Sequence, residues 1–206
     1  MSANKYKIIL ASASQRRTEI LTSCSIKHGV MISDIKEIQP KRKNIISSVT
    51  KNAMRKVRSI TKKAIEKYGE DLVLIGADTL VTLGNEVIGK PKDALHAKEL
   101  LKKFSDHHIQ VYTGLFVFNT HKNIGSSGYS ESSIKVSHIP DHLINMYFKR
   151  LGSYDKAGGF SIEGVGSILF DDIKGSYFNI LGLPTNKLSE LFLEIGLNLI
   201  DFCSGR

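Results

Sequence analysis

The order of apolar and polar residues along the chain predicts a fold built from both strands and helices. Residues 72–75 (LVLI) form a continuous apolar run, which is typical of a strand buried on both faces. Apolar residues recur every three or four positions from Ile45 to about Tyr68, which predicts a long amphipathic helix. Residues 6–11 form a predicted first strand, and Ser14 is the predicted N-cap of the helix that follows it.

A hairpin is predicted directly after the central apolar run. Two alternating runs, residues 80–83 and 86–88, flank Gly84-Asn85, a dipeptide that favours a tight turn. We expect this hairpin to return Lys90 towards Asp78, which we place at the end of the buried strand. An acid and a base on adjoining strands suit metal-assisted chemistry on a phosphate, and a surface salt bridge at the hairpin end is the alternative.

The second half of the chain continues the alternation of helices and strands. Asp93 can cap a helix that extends to Phe104. A long strand over residues 109–118 is expected to be interrupted at Thr113-Gly114, and Asp141 begins a further helix. A last helix is predicted from Pro184 to about Ile195. No Pro/Gly/Ser-rich linker divides the chain, so we expect one domain over residues 1–206.

Composition narrows the class of protein. A chain of 206 residues with 41% hydrophobic content can bury a substantial core. It has no apolar run of about 18 residues, and its first residues do not form a cleavable signal. Cys24 and Cys203 lie far apart and fit neither a metal site nor a disulfide framework. We therefore expect a soluble, cytoplasmic protein with no membrane partner.

Positive charge points to an anionic ligand. The net charge of +9 comes from 29 Lys and Arg against 20 Asp and Glu, and much of it lies in Lys41-Arg42-Lys43 and residues 51–67. Nucleotides, nucleic acid and acidic surfaces are the partner classes that such a charge suits. A basic helix face that only increases solubility is the alternative.

Besides Asp78 and Lys90, two further polar clusters and two single residues are candidates for the chemistry. Ser14, Arg16 and Arg17 lie where a strand meets the start of a helix, which outlines an anion site without a Walker or dinucleotide-binding motif. Glu37 is a lone acid at the end of an element, and Lys56 lies at the margin of the apolar face of the long helix. The second of these clusters is residues 155–164 (DKAGGFSIEG), a glycine-rich loop suited to close approach of a ligand or to a tight corner.

Together these clusters resemble the Maf family of nucleoside triphosphate pyrophosphatases. The resemblance is carried, in the family's order, by residues 10–21 (LASASQRRTEIL), 76–79 (GADT), 89–91 (GKP), 112–114 (YTG), 155–160 (DKAGGF) and 182–184 (GLP). It implies an α/β fold with an elongated, twisted, mixed β-sheet flanked by helices, two lobes with a central cleft of the Maf/Ham1-like kind, and a homodimer.

The resemblance also implies a reaction and roles for individual residues. The family hydrolyses a nucleoside triphosphate between the α and β phosphates with a divalent metal cation, Mg²⁺ or Mn²⁺. Asp78 matches the general base, or the acid that holds the metal which activates water. Glu37, in residues 33–37 (SDIKE), matches an acid near the metal. Ser14, Arg17, Lys56 and Lys90 match contacts to the polyphosphate.

Substrate choice is divided between two branches of the family. The branch that resembles dTTP/UTP pyrophosphatases is matched by Arg16 and Thr79, whereas Glu163 matches the branch that acts on 7-methyl-GTP. Gln15 stands where proline is usual. A Gln amide both donates and accepts, as uracil and thymine require, but an ionised Glu only accepts, which suits guanine. We favour dTTP or UTP, with 7-methyl-GTP as the alternative and broad or modified-nucleotide specificity as the third possibility.

A binding protein is the competing class of function. The positive charge would suit a regulator that binds nucleic acid or a cell-division partner. However, the sequence has no helix-turn-helix, RNP or zinc motif, and Asp78, Glu37 and Glu163 would repel a phosphate backbone that lacks metal. We therefore expect a nucleotide substrate and no nucleic-acid partner.

Overall fold

A seven-stranded mixed sheet forms the centre of the protein. The computed structural model describes residues 5–40, 44–151 and 162–204. Its strands are β1 (Lys7–Ala11), β2 (His28–Val30), β3 (Leu72–Leu83), β4 (Glu86–Ile88), β5 (His108–Asn119), β6 (Ile124–Val136) and β7 (Phe170–Lys174). The strand order is β2-β1-β3-β5-β6-β7, with β4 paired to β3. The pairs of β1 with β2 and β3 are parallel and the others are antiparallel, so the predicted mixed α/β fold is confirmed.

Helices cover both faces of this sheet. They are α1 (Gln15–Ser23), α2 (Ile45–Tyr68), α3 (Ala94–Phe104), α4 (Asp141–Leu151), α5 (Tyr177–Ile180) and α6 (Thr185–Glu194), with short 3-10 helices at Gly164–Leu169 and Leu199–Phe202. The bounds of α2 agree with the prediction. Asp93 caps α3 as predicted, because its carboxylate accepts from the backbone N–H of His96 at 2.8 Å.

The core lies on the two sides of β3. Residues 72–78 are all buried, as expected for a strand covered on both faces. The buried hydrophobic residues form two clusters. Leu72 and Leu74 belong to the smaller one, which contains the apolar face of α2, whereas Val73, Ile75 and Ala77 belong to the larger one on the other face of the sheet. Because side chains alternate along a strand, Asp78 shares the face of Leu72 and Leu74 and points towards α2.

Two glycines allow α2 to lie directly on the sheet. A Cβ on Gly76 would lie 2.2 Å from the carbonyl oxygen of Ala53, and one on Gly114 would lie 2.3 Å from the carbonyl carbon of Val49. Gly114 pairs with Asp78 across β3 and β5. The glycines therefore bring the first half of α2 onto the part of the sheet that carries Asp78.

Two predictions are wrong, and this close packing is the reason. Asp78 does not lie at the end of the strand as predicted: β3 continues through it to Leu83, and Asp78 lies mid-strand. The expected interruption at Thr113-Gly114 is also wrong, since β5 runs without a break through both residues. Gly76 and Gly114 are there because α2 packs closely against them, and the strand backbone remains extended at both positions. The hairpin at Gly84-Asn85 forms as predicted.

Two predicted features lie outside the described residues. They are the basic segment Lys41-Arg42-Lys43 and most of the glycine-rich cluster, of which Ile162, Glu163 and Gly164 are described. Within the described ranges, no helix is long and apolar enough to cross a membrane.

Candidate active site

A cleft of about 510 Å³ gathers almost all of the predicted site residues. This volume is in the range of small-molecule sites. The predicted residues that line it are Ser14, Arg16, Arg17, Glu37, Lys56, Asp78, Thr79 and Lys90. They come from the β1–α1 connection, the first turn of α1, the segment before α2, α2 itself, β3 and the segment after β4. The hairpin thus brings Lys90 into the same cleft as Asp78, as predicted.

Lys56 joins the two candidate acids at the floor of this cleft. Its Nζ lies 2.6 Å from Oδ1 of Asp78 and 2.7 Å from Oε1 of Glu37, and it also donates to the carbonyl of Ala77 at 3.3 Å. Asp78 is only 4% exposed, and the Lys56 side chain is 12% exposed. The ammonium therefore bridges two carboxylates that face each other across one cation.

The two carboxyl groups have opposite pKa shifts. Burial raises the pKa of Asp78, and the charge of Glu37 adds to this, although Lys56 and Asn52 act to lower it. For Glu37, burial also acts to raise the pKa, but the hydrogen bond and charge of Lys56 outweigh it and hold the pKa below its ordinary value. The surroundings thus disfavour the ionised form of Asp78 and favour the ionised form of Glu37.

Asn52 orients Asp78 from the preceding turn of α2. Its Nδ2 donates to Oδ2 of Asp78 at 2.9 Å and to the carbonyl of Ile38 at 3.1 Å, and its Oδ1 accepts from the N–H of Ile38 at 2.8 Å. Both oxygens of Asp78 therefore have a donor from α2, Lys56 for one and Asn52 for the other.

Arg17 is buried and connects three parts of the cleft wall. Its Nε donates to the carbonyl of Gly182 at 2.8 Å, while Nη1 and Nη2 donate to the hydroxyls of Ser12 and Thr79 at 3.0 Å each. Burial lowers the pKa of Arg17, against the opposing charges of Asp78 and Glu37. Three of the five N–H groups of Arg17 thus hold the protein together, which adds a structural function to the predicted anion contact.

Ser14 is the N-cap residue of α1, as predicted, but its hydroxyl does not cap the helix. The backbone N–H of Ser14 donates instead to the hydroxyl of Ser12 at 3.1 Å. The Ser14 side chain, partly buried, lines the cleft beside the start of the helix, where the positive end of the helix dipole favours an anion.

Arg16 and Glu163, the two residues that favoured different substrates, lie next to each other. Nε of Arg16 is 3.4 Å from Oε2 of Glu163, and the Glu163 side chain is 47% exposed. Burial raises the pKa of the nearby Tyr177 hydroxyl, with a further contribution from the charge of Glu163 and an opposing one from Arg16. The carboxylate of Glu163 therefore faces a cation at the edge of the cleft.

The carboxylates of the cleft fit a divalent cation. Asp78 and Glu37 converge on one ammonium, and hard oxygen donors of this kind suit Mg²⁺ and Mn²⁺. Among the described residues, no group of three or more His, Cys, Asp or Glu side chains could hold a metal. Two carboxylates suit the arrangement in which Mg²⁺ takes its remaining ligands from water and substrate phosphates.

Comparison with known proteins identifies the family. The family described as Maf-like protein matches residues 7–195. The chain belongs to the Maf family. This Maf protein is 37% identical over 193 residues to a protein named dTTP/UTP pyrophosphatase from Clostridium botulinum strain Hall, covering 93% of this chain and 98% of the relative. It is also 37% identical over 194 residues to a protein of the same name from Clostridium novyi strain NT, covering 94% and 100%.

A solved structure gives a more distant match to this Maf protein. The HAM1 protein from Coxiella burnetii is 14% identical and gives a TM-score of 0.46, covering 80% of this chain and 84% of the other.

Sequence reasoning missed several polar residues that hydrogen-bond to the residues lining the Maf cleft. Asn52 was not singled out, although it lies three residues after Val49 and four before Lys56, within the apolar stripe of α2. A polar residue in such a stripe is a signal that could have identified it. Ser12 and Thr113 were missed as well, and their small hydroxyls give no comparable signal. Thr113 shares a 2.9 Å hydrogen bond with Thr79.

Proposed function

We propose that this Maf protein is a nucleoside triphosphate pyrophosphatase that converts dTTP or UTP to the monophosphate and pyrophosphate. The proposal is carried by the cluster in which Lys56 contacts both Asp78 and Glu37 inside a cleft also lined by Ser14 and Arg16. Phosphoryl transfer calls mainly for positioned cations and carboxylates, and this cleft contains both. The names of the Clostridium relatives support the choice of substrate.

In this proposal Asp78 receives the proton of the attacking water. The water oxygen bonds to the α phosphorus, and the bond from that phosphorus to the oxygen bridging the α and β phosphates breaks. The electron pair of this bond leaves with pyrophosphate. Burial raises the pKa of Asp78, which makes this carboxylate a better proton acceptor than an exposed aspartate. Asn52 holds one oxygen of this carboxylate in place, and Lys56 is bonded to the other oxygen before the substrate binds.

Glu37 and Asp78 would hold the divalent metal, Mg²⁺ or Mn²⁺. When bound, the metal neutralises phosphate charge and acidifies water. Ser14, Lys56 and Lys90 are proposed contacts to the polyphosphate, with the buried Arg17 contributing charge from the cleft wall. We also propose a cytoplasmic homodimer of single-domain chains over residues 1–206. Sedimentation velocity of the purified protein tests the dimer.

Pyrophosphate release from the purified protein tests the proposed activity. The assay compares dTTP, UTP, CTP, GTP, 7-methyl-GTP and methylated pyrimidine triphosphates with Mg²⁺ or Mn²⁺. We expect the highest kcat/KM for dTTP and UTP. Preference for 7-methyl-GTP would favour the second candidate substrate, which Glu163 supports. If none of these nucleotides releases pyrophosphate, the proposed enzymatic function is rejected and a regulatory binding function is favoured.

Glu163→Gln is expected to sharpen the preference for pyrimidine nucleotides. The amide can donate and accept towards uracil or thymine, and it no longer offers guanine a carboxylate. We expect the ratio of kcat/KM for dTTP to that for 7-methyl-GTP to rise about tenfold, which corresponds to about 1.4 kcal/mol. Since the ion pair with Arg16 is half exposed, the free energy of unfolding should change by no more than about 0.5 kcal/mol.

A matched control for this variant is Glu190→Gln, which removes an exposed carboxylate that pairs with Lys187 on α6. It should leave the ratio unchanged. If the ratio stays the same in Glu163→Gln, then Glu163 does not contribute to base selection.

A further inference from the structure

Asn52 is the one described residue whose side chain contacts both Asp78 and the backbone of the segment that carries Glu37. It is 1% exposed, and all three of its contacts lie between 2.8 and 3.1 Å. Building on the proposed function, we propose that Asn52 is a positioning residue that fixes the two metal-binding carboxylates relative to each other.

The segment before α2 needs such an anchor. Residues 31–40 have no helix or strand, and the Glu37 side chain is 47% exposed. The described contacts of this segment with α2 include Arg55, which donates to the carbonyl of Lys36 at 3.0 Å, and Ser59, which shares a 2.8 Å hydrogen bond with Ser33. Asn52 contacts both peptide groups of Ile38, the residue next to Glu37.

The contacts of Asn52 use both N–H groups of its amide and one acceptor site of its oxygen. The two N–H bonds of its amide go to Ile38 and Asp78, and its oxygen accepts from Ile38. A hydrophobic residue of similar size could fill the space but could make none of these bonds. An aspartate could still accept from the N–H of Ile38, but when ionised it has nothing to donate to Asp78.

Lys56 cannot replace this function during the reaction. Its ammonium joins Glu37 and Asp78 through charged hydrogen bonds, but it lies at the end of a flexible side chain. In the proposed reaction the same ammonium contacts the polyphosphate, so it leaves the carboxylates when substrate binds. Asn52 is neutral and anchored through the backbone of Ile38, so it keeps the two acids together after Lys56 has moved.

The first test is Asn52→Ala, with Asn119→Ala as the matched control. Asn119 is equally buried and accepts from the N–H of Lys122, but it pairs with Val73, five positions along β3 from Asp78. Binding of Mn²⁺ alone is measured by electron paramagnetic resonance, and exchange of the Ile38 amide by NMR. Loss of a residue that orients metal ligands typically costs between about 10 and 100-fold in affinity.

We therefore expect Asn52→Ala to bind Mn²⁺ at least about tenfold more weakly, and to exchange the Ile38 amide faster. Asn119→Ala should lose stability but keep both properties. Wild-type Mn²⁺ affinity and Ile38 protection in folded Asn52→Ala would overturn the proposal. Both readouts are independent of turnover, so they test Asn52 even if no nucleotide releases pyrophosphate and the proposed function is rejected.

A second variant separates the two halves of the contact. Asn52→Asp, measured at pH 8, should keep the Ile38 amide protected because an acceptor remains. Turnover of dTTP should fall about tenfold or more, because Asp78 loses its donor and faces a second negative charge. Turnover equal to that of the wild type would show that Asp78 does not depend on Asn52. This variant keeps the size of the side chain, so it also serves if Asn52→Ala does not fold.

Discussion

Asp78→Asn is expected to reduce pyrophosphate release from dTTP by about 10³-fold. The amide has the size of the carboxyl group, but it accepts no proton from water and is a poor ligand for Mg²⁺ or Mn²⁺. Initial rates with saturating Mn²⁺ measure the effect. A matched control is Asp71→Asn, which removes a carboxylate that contacts Lys5 and His121 at the far end of β3. That variant should keep the wild-type rate.

The same substitution should not destabilise the protein. Because burial raises the pKa of Asp78, the folded protein binds this proton more tightly than the unfolded chain does. The contribution of Asp78 to the free energy of unfolding is therefore present at low pH and is lost as the pH rises through the folded-state pKa. At neutral pH asparagine avoids the burial cost of the ionised carboxylate, but its Nδ2 faces a donor, Lys56 or Asn52, where a carboxylate oxygen accepted.

The two effects oppose each other, so thermal unfolding at neutral pH should give Asp78→Asn a Tm close to that of the wild type. A normal Tm together with the loss of turnover assigns the defect to chemistry. Retained turnover in this variant would remove Asp78 from the proposed mechanism.

Gly114→Ala is expected to lower the free energy of unfolding by about 3 kcal/mol, which is near the upper end of the destabilisation typical of overpacked cores. The new Cβ would lie 2.3–2.6 Å from backbone atoms of Val49 and Thr50, and backbone cannot rotate away as a side chain can. The first half of α2 must then move outward. Since this half carries Asn52 and Lys56, we also expect turnover to fall about 10²-fold, as small displacements at a reacting centre do.

Urea unfolding and dTTP turnover measure these two effects. Gly128→Ala on β6 is the matched control, because the nearest atom to its Cβ is Cδ of Lys187, at 3.2 Å on a flexible side chain. Its stability should equal or slightly exceed that of the wild type, since alanine loses less backbone entropy on folding. Equal stability of the two variants would show that contact between α2 and the sheet at Gly114 is not tight.

Regular elements with a strong periodic pattern could be predicted from the sequence. The stripe of apolar residues over Ile45–Tyr68 is long enough to give both ends of α2, and Gly84-Asn85 gives the hairpin. The ends of β3 and the continuity of β5 could not be predicted in this way. Gly76 and Gly114 break the local strand pattern for a reason that lies in α2, far away in the sequence.

The site shows a similar division. Family motifs identified Asp78, Lys90 and the segment around Ser14 and Arg17, and these residues line one cleft. The contacts that these residues make depend on how distant segments pack together. Lys56, for example, reaches Asp78 because α2 packs on β3, and the spacing of residues in the sequence does not encode that packing. The same holds for the contact of Arg16 with Glu163, which turns two separate specificity signals into one ion pair.

The position of Lys56 has a consequence for the order in which ligands load. Its ammonium acts as an internal counterion for Asp78 and Glu37, so a metal ion must compete with it for the two carboxylates. A triphosphate offers this ammonium another partner and so makes the carboxylates available. By thermodynamic linkage, the metal then strengthens nucleotide binding by the same factor. In the proposed reaction, one lysine therefore couples the binding of nucleotide to the binding of metal.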